Sequence, residues 1–331
     1  MGASSCGFGQ CLGDLMLDRD DSRLDDAGHL AGAAPLEAGT LAPERLRARM
    51  IAHPGFPAAV RALGQGMLSL SAADRAIDGI FKDAGRYVVA ACAATMPQGV
   101  TLAGLKALCA KFGLLSPGRA ATMLLYLRYL GYVSPWRDRS ASGRAIYQTS
   151  PAFLAAWRAH YRAVLDAAAL IDPGAGRVAA RLDDPAFFQR FCQLHLEALV
   201  EGIGQVDANM AYVRVFMNRY AGSQVVWVLL VQHGDGPFPF AGPLVLSKAD
   251  LARRFGVSLM HVKRMFAAAS REGLIVRDGG NQVFLTALAQ DQIRFLYAAQ
   301  FVALLTACER TAAVMAGSIA ESVDGGDDGW G

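Results

Sequence analysis

Three basic side chains, His261, Lys263 and Arg264, lie within four residues of one another, just after Gly256 and Ser258. Their types suit contact with nucleic acid. A guanidinium donates to both major-groove acceptors of guanine at once, and ammonium and guanidinium groups neutralise phosphate. Their spacing sets them apart from the residues between them. Val262, Met265, Phe266 and Ala269 recur at helical spacing and should pack inward. His261, Lys263 and Arg264 then fall largely on the other side, near the helix start. Arg264 is the expected guanine contact. A solvated basic face on a small helical domain is the alternative.

The elements needed to position these side chains are legible from 246 to 286. Lys248 to Phe255 reads as a short helix with Leu251 and Phe255 on one face. Gly256 breaks it, because glycine alone takes a left-handed turn without steric cost. Ser258 caps a second helix that runs to about Glu272, and Gly273 ends it. Leu274-Ile275-Val276 begins a strand, Asp278-Gly279-Gly280-Asn281 is a hairpin turn, and Gln282 to Leu285 returns. This is the layout of a winged helix-turn-helix, whose second helix enters the major groove. Arg277, in the wing, joins the expected DNA contacts.

The pattern occurs twice. A shift of 143 residues places Phe255-Gly256 on Phe112-Gly113. Leu102, Leu105 and Leu108 precede this earlier glycine at helical spacing, and Ser116-Pro117 supplies a cap with proline at the first helical position. The next helix should turn Ala120, Met123, Leu124 and Leu127 inward and Gly118, Arg119, Thr122 and Tyr126 outward. Arg119, Thr122 and Tyr126 are the expected base readers of this copy, and Arg119 is its candidate guanine contact. A long hairpin from Ser134 to Thr149 carries Arg137, Arg139 and Arg144, expected on phosphate or in the minor groove.

Residues 101–151 resemble the MarR family of bacterial transcription regulators. The apolar pattern of the second helix, the LGYV helix-to-strand junction and the segment SGRAIYQTSP carry the resemblance. Arg144 matches the family's wing arginine, Ser142 stands where the family has aspartate, and Gln148 precedes Thr149. The resemblance covers about a third of the chain. It implies DNA binding by dimer-like pairs of second helices, long flanking helices at the dimer interface, and a small aromatic effector sensed between them. Two copies in one chain would form a single-chain pseudo-dimer, or a homodimer offering four such helices.

Charge is distributed to match. The 331-residue chain has a formal net charge of only +3, but residues 97–151 carry +6, residues 243–286 carry +4 and residues 1–44 carry −6. The C-terminal run after Glu321 is acidic and glycine-rich. Arginine outnumbers lysine 27 to 5, a composition that suits a GC-rich bacterial genome. The expected organisation is an acidic flexible segment over 1–43, a first winged-helix unit with flanking helices over 44–202, a second with its C-terminal helix over 203–319, and an acidic tail over 320–331. The expected fold class is mainly α with small β wings.

The remaining helices are expected over 44–53, 57–63, 72–96, 151–170, 185–202, 209–220, 223–232 and 287–319. Phe153, Trp157, Tyr161, Phe187, Phe188, Phe191 and His195 form aromatic stripes that are read first as core. Trp157, Tyr161, Phe188 and His195 are the candidates should an effector pocket exist between the flanking helices. The six cysteines show no zinc-type spacing, and Cys92, Cys109, Cys192 and Cys308 sit in apolar helical surroundings expected to be reduced core. No membrane span, secretory signal, phosphate loop or nucleophile elbow is found. The histidines are too scattered for a metal site. The expectation is therefore a cytoplasmic protein that is not an enzyme and has no cofactor: a sequence-specific regulator binding double-stranded DNA. A plasmid-type replication initiator and a tandem winged-helix interaction scaffold are the alternatives.

Overall fold

Aspartate and proline divide residues 42–96 into four helices. The computed structural model describes residues 42–96, 99–111, 116–136, 145–203, 209–232, 242–278 and 282–324. Helix α1 (Pro43–Ala52) and helix α2 (Phe56–Ala73) both have proline in the first turn, where its missing N–H has no partner to lose. Asp74 accepts from the amides of Ala76 and Ile77 at the start of α3 (Arg75–Ile80), and Asp83 accepts from the amide of Arg86 at the start of α4 (Ala84–Ala94). These caps correct the reading of one helix over 72–96. Side-chain carboxylates compete for backbone N–H groups, stopping and restarting the helix. The second helix also runs past Leu63 to Ala73. Gly66 permits this by its close approach to α7 (Pro151–Ala168), since a Cβ there would meet the Ala163 Cβ at 3.0 Å.

The expected repeat is present in the order of elements and in their hydrogen bonds. The first copy comprises β1 (Val100–Thr101), α5 (Leu102–Lys111), α6 (Pro117–Tyr129), β2 (Val133–Pro135) and β3 (Ile146–Thr149). The second comprises β4 (Leu244–Val245), α11 (Lys248–Phe255), α12 (Leu259–Arg271), β5 (Ile275–Arg277) and β6 (Gln282–Leu285). Ser116 and Ser258 each accept from the amide three residues on. Gly131 and Gly273 end the second helices at φ +72° and +70°. Beyond them the Tyr132 amide donates to Leu127 O, and the Leu274 amide donates to Ala269 O. Ser150 N bonds Tyr132 O as Thr286 N bonds Leu274 O, and the two hydroxyls cap the following helices, α7 and α13 (Ala287–Asp324). Phe112 and Gly113, the turn of the first copy, lie outside the described residues, as do Gly279 to Asn281 of the second wing.

Each copy has a three-stranded antiparallel sheet, in the orders β1-β3-β2 and β4-β6-β5, where the sequence reading has a two-stranded hairpin. The added strands have two residues each, too few to show an alternating pattern. Val133 faces Thr149 and Ile275 faces Leu285 in the two registers.

Helices α8 (Pro173–Ala179), α9 (Pro185–Ile203) and α10 (Gly222–Gln232) complete the described elements, with a π-helical turn at Val213–Met217. Helix α8 has no counterpart in the sequence reading; Asp172 both follows α7 and caps α8. The π-turn and the break before Gly222 replace the expected helix over 209–220. One continuous apolar core includes residues of both copies and of α1, α2, α7, α9, α10 and α13, so it crosses the expected boundary at 202/203. Cys92, Cys109, Cys192 and Cys308 are unbridged and buried in it; Cys6 and Cys11 lie outside the described residues. Among the described residues no helix is long and apolar enough to cross a membrane.

Candidate nucleic-acid interface

Helix α12 is amphipathic in the sense predicted. Val262, Met265, Phe266, Ala268 and Ala269 are buried, while Met260, Lys263, Arg264, Ala267 and Arg271 are exposed. The exposed set recurs at three and four residues and forms one stripe along the helix. Gly256 turns the chain between α11 and α12 at φ +61°, the left-handed conformation expected of it. His261 is placed differently from expectation. Its Nε2–H donates to the Tyr220 carbonyl at 2.8 Å, so the ring anchors the start of α12 to the turn before α10.

The arginines of this stripe converge with others. Arg264, Ala267, Ser270 and Arg271 of α12, Arg277 of β5 and Arg219 of the turn before α10 line a surface groove of about 530 Å³. Four cations from three elements share it, and among the described residues no carboxylate lines it. Among the described residues none of the four forms an ion pair. Glu272, the nearest acid in sequence to Arg271, is instead paired with Arg214. The hydroxyl of Ser270 is out of solvent and has no hydrogen-bond partner among the described residues. Arg271 has a readable signal, since it follows Arg264 by seven residues, two helical turns. Arg219 has none; only the fold brings it to α12.

The corresponding face of the first copy is occupied differently. The Arg119 guanidinium lies 3.3 Å from Asp83 Oδ1, across a sequence separation of 36. The Thr122 hydroxyl donates back to Gly118 O. Tyr126 is half-buried rather than outward: the Arg86 guanidinium covers its ring at 4.2 Å, and a Cβ on Gly79 would fall on its hydroxyl. Burial pushes the Tyr126 phenol above its ordinary range, with Arg86 opposing. Exposed apolar side chains are prominent here, with Leu125 60%, Tyr129 84% and Trp136 40% accessible. Arg137, Arg139 and Arg144 lie outside the described residues.

The two copies are joined by a polar junction. Buried Lys82 donates to Asp78 at 2.8 Å, to Gln224 Oε1 at 3.0 Å and to Phe255 O at 2.9 Å. The last of these is the final residue of α11. Gln224 Nε2 also bonds Asp78. Arg86 lies over Tyr126 of the first copy and, at 4.9 Å, over Tyr220, whose carbonyl receives His261 of the second. An unbroken chain of contacts thus runs from α6 to α12.

The effector candidates are placed in closed core. Trp157, Tyr161, Phe188 and His195 are 0%, 1%, 4% and 4% exposed and pack on one another and on Phe191 and His160. They line neither the arginine groove nor a second groove between α1, α9 and α13. Tyr161 OH lies 2.9 Å from His195 Nδ1, and Tyr87 OH 3.2 Å from His160 Nε2. Burial lowers both histidines to about 3 and raises both phenols. The phenols therefore donate and the neutral imidazoles accept. Among the described residues no group of histidine, cysteine and carboxylate side chains has the arrangement of a metal site. In comparisons with known proteins, no family model, no curated protein and no solved structure matches this chain.

Proposed function

We propose that this chain is a double-stranded DNA-binding transcription regulator built from two winged helix-turn-helix units, with the second as its principal DNA contact. The observation that carries the reading is the exposed face of α12 with its neighbours, where Lys263 is exposed and Arg264, Arg271, Arg277 and Arg219 line one groove with no carboxylate among the described residues of its lining. A cationic stripe on the second helix, continued onto the adjoining strand, suits entry of that helix into the major groove with the wing on the backbone. The first turn of α12, with Met260 55% exposed beside Lys263, offers an apolar contact for a thymine methyl and a donor for a base edge. The resemblance of residues 101–151 to the MarR family in sequence supports the same class.

The test is a titration with random duplex at two salt concentrations, followed by selection of bound sequences. Steeply salt-dependent binding with an enriched motif is the expected result. No binding at low salt rejects the reading. Exposed Leu125, Tyr129 and Trp136 favour a second role for the first unit, contact with protein, and a single enriched half-site would accord with that division of labour.

A further inference from the structure

We infer that the groove formed by Arg219, Arg264, Arg271 and Arg277 is a phosphate-binding site that grips a run of phosphodiesters, and that Arg264 belongs to this grip rather than to base reading. The inference rests on the DNA reading for the source of the phosphates and deepens it by naming where the backbone sits. Three observations lead to it.

The groove gathers four guanidinium groups from α12, β5 and the turn before α10, with no acid among the described residues of its lining. Like charges so placed repel one another in the free protein and are relieved by an anion. The guanidinium fork matches phosphate oxygens in pairs. The site is also elongated. Arg264 and Arg271 stand seven residues apart on one helix face, about 10 Å along its axis. One strand of DNA carries a phosphate per about 3.4 Å of duplex axis, and neighbouring phosphates, which wind around that axis, stand farther apart than this rise. The length therefore reaches from one phosphate to the next and exceeds a single phosphate group. Finally, Arg219 lies outside both repeated units, yet it is held beside α12 by the same turn whose Tyr220 carbonyl receives His261. Among the described residues the first unit has no counterpart: counted from the matching caps Ser116 and Ser258, Thr122, Tyr129 and Pro135 stand where Arg264, Arg271 and Arg277 stand.

The experiment compares the full chain with R219Q, R271Q, R264Q and the double variant R219Q/R271Q, using R253Q, whose parent side chain pairs with Asp250, as the control outside the groove. Binding of a random duplex and of the selected duplex is measured from low to moderate salt, and thermal stability is measured with and without pyrophosphate. Each groove variant is expected to reduce the slope of log affinity against log salt by about 0.9, the double variant by about 1.8, and to weaken both duplexes equally. R253Q should leave the slope unchanged. Wild-type binding with unaltered slopes in R219Q and R271Q overturns the groove and leaves the DNA reading standing. A loss in R264Q confined to the selected duplex returns Arg264 to base reading and overturns that part. If the wild type binds no duplex while pyrophosphate stabilises it and not R219Q/R271Q, the DNA reading fails and the site is one for free phosphoanions. If neither probe binds, both fall.

Discussion

Replacing Lys82 with methionine removes a side chain that is 5% exposed and holds three acceptors together: Asp78, Gln224 Oε1 and the carbonyl of Phe255. Each hydrogen bond to a charged group is worth roughly 1.5–3 kcal/mol net. Their simple sum overstates the effect, because the ammonium also carries a desolvation cost of several kcal/mol that methionine avoids. What decides the outcome is the set of acceptors left behind. Phe255 O and Gln224 Oε1 would lose a partner out of water, at about 1–3 kcal/mol each. Asp78 keeps its bond from Gln224 and is 23% exposed, which discounts its share. The expected loss is therefore about 2–4 kcal/mol, at the lower edge of a broken buried pair. Urea denaturation followed by tryptophan fluorescence reads it, since Trp227 packs on Phe81 next to Lys82 at 5.8 Å between ring centres. Adding D78N to K82M removes the uncompensated charge and should recover about 1 kcal/mol, a coupling that a double-mutant cycle isolates. A K82M protein within about 0.5 kcal/mol of wild type would refute the argument that this cation ties α3 and α10 to the end of α11.

The neutral histidines predict acid sensitivity. Their folded values near 3 lie below the unfolded value of about 6.5, so their stability is fully present above pH 6.5 and is lost as pH falls toward 3. Each histidine contributes up to about 1.4 kcal/mol per pH unit in that window, and an unfolding free energy unchanged between pH 7 and pH 5 would count against their burial. Gly222→Ala should destabilise by more than about 2 kcal/mol, because its Cβ would overlap the Phe216 carbonyl, whose carbon lies 2.7 Å away, and backbone cannot yield as a side chain can. Gly256→Ala, strained only by its φ of +61° with open space around it, should cost about 1 kcal/mol; denaturant midpoints of the two variants test the contrast. Arg119→Gln is expected to change duplex affinity by less than about twofold, while Lys263→Ala should weaken binding and relax sequence preference. A large loss of selectivity in R119Q would move the principal contact to the first unit.

What could be read in the sequence was local. Gly256, Ser258 and Ser116 each act on backbone groups within a few residues, so residue type alone places the turn and the caps. The apolar spacing of Val262, Met265 and Phe266 likewise reports a face that the structure buries. Signals that depend on distant partners could not be read. Asp83 serves at once as the cap of α4 and as the counter-ion of Arg119. Tyr126 has outward periodicity, but Arg86 and Gly79 make room for it under another helix. Arg219 reaches the groove, and Lys82 reaches Phe255 across 173 residues, through tertiary packing that leaves no periodic trace. Strands β1 and β4 escape for a different reason, having two residues each.

The two copies share their caps, their left-handed glycines and the hydrogen bonds that close the helix-to-strand junctions, yet their outward faces differ in kind. The shared features are the ones that folding demands. Buried apolar positions and capped termini fix the backbone, and exposed positions remain free to vary. In the second copy those free positions hold Lys263, Arg264 and Arg271. In the first the described ones include Leu125, Arg128 and Tyr129, and the arginine near the helix start shares the Asp83 carboxylate with Arg86. On the DNA-binding reading proposed above, this difference among the described residues suits one principal DNA contact, since a reading face needs an uncompensated cationic surface. The junction at Lys82, Arg86 and Tyr220 then acquires a purpose, because it fixes the cationic helix against the apolar one. If α12 grips DNA as proposed, a partner seated on Leu125 and Tyr129 would be held in a set orientation to it. Cross-linking between the two faces in K82M should accordingly lose the single geometry that the wild type gives, even where each copy remains folded.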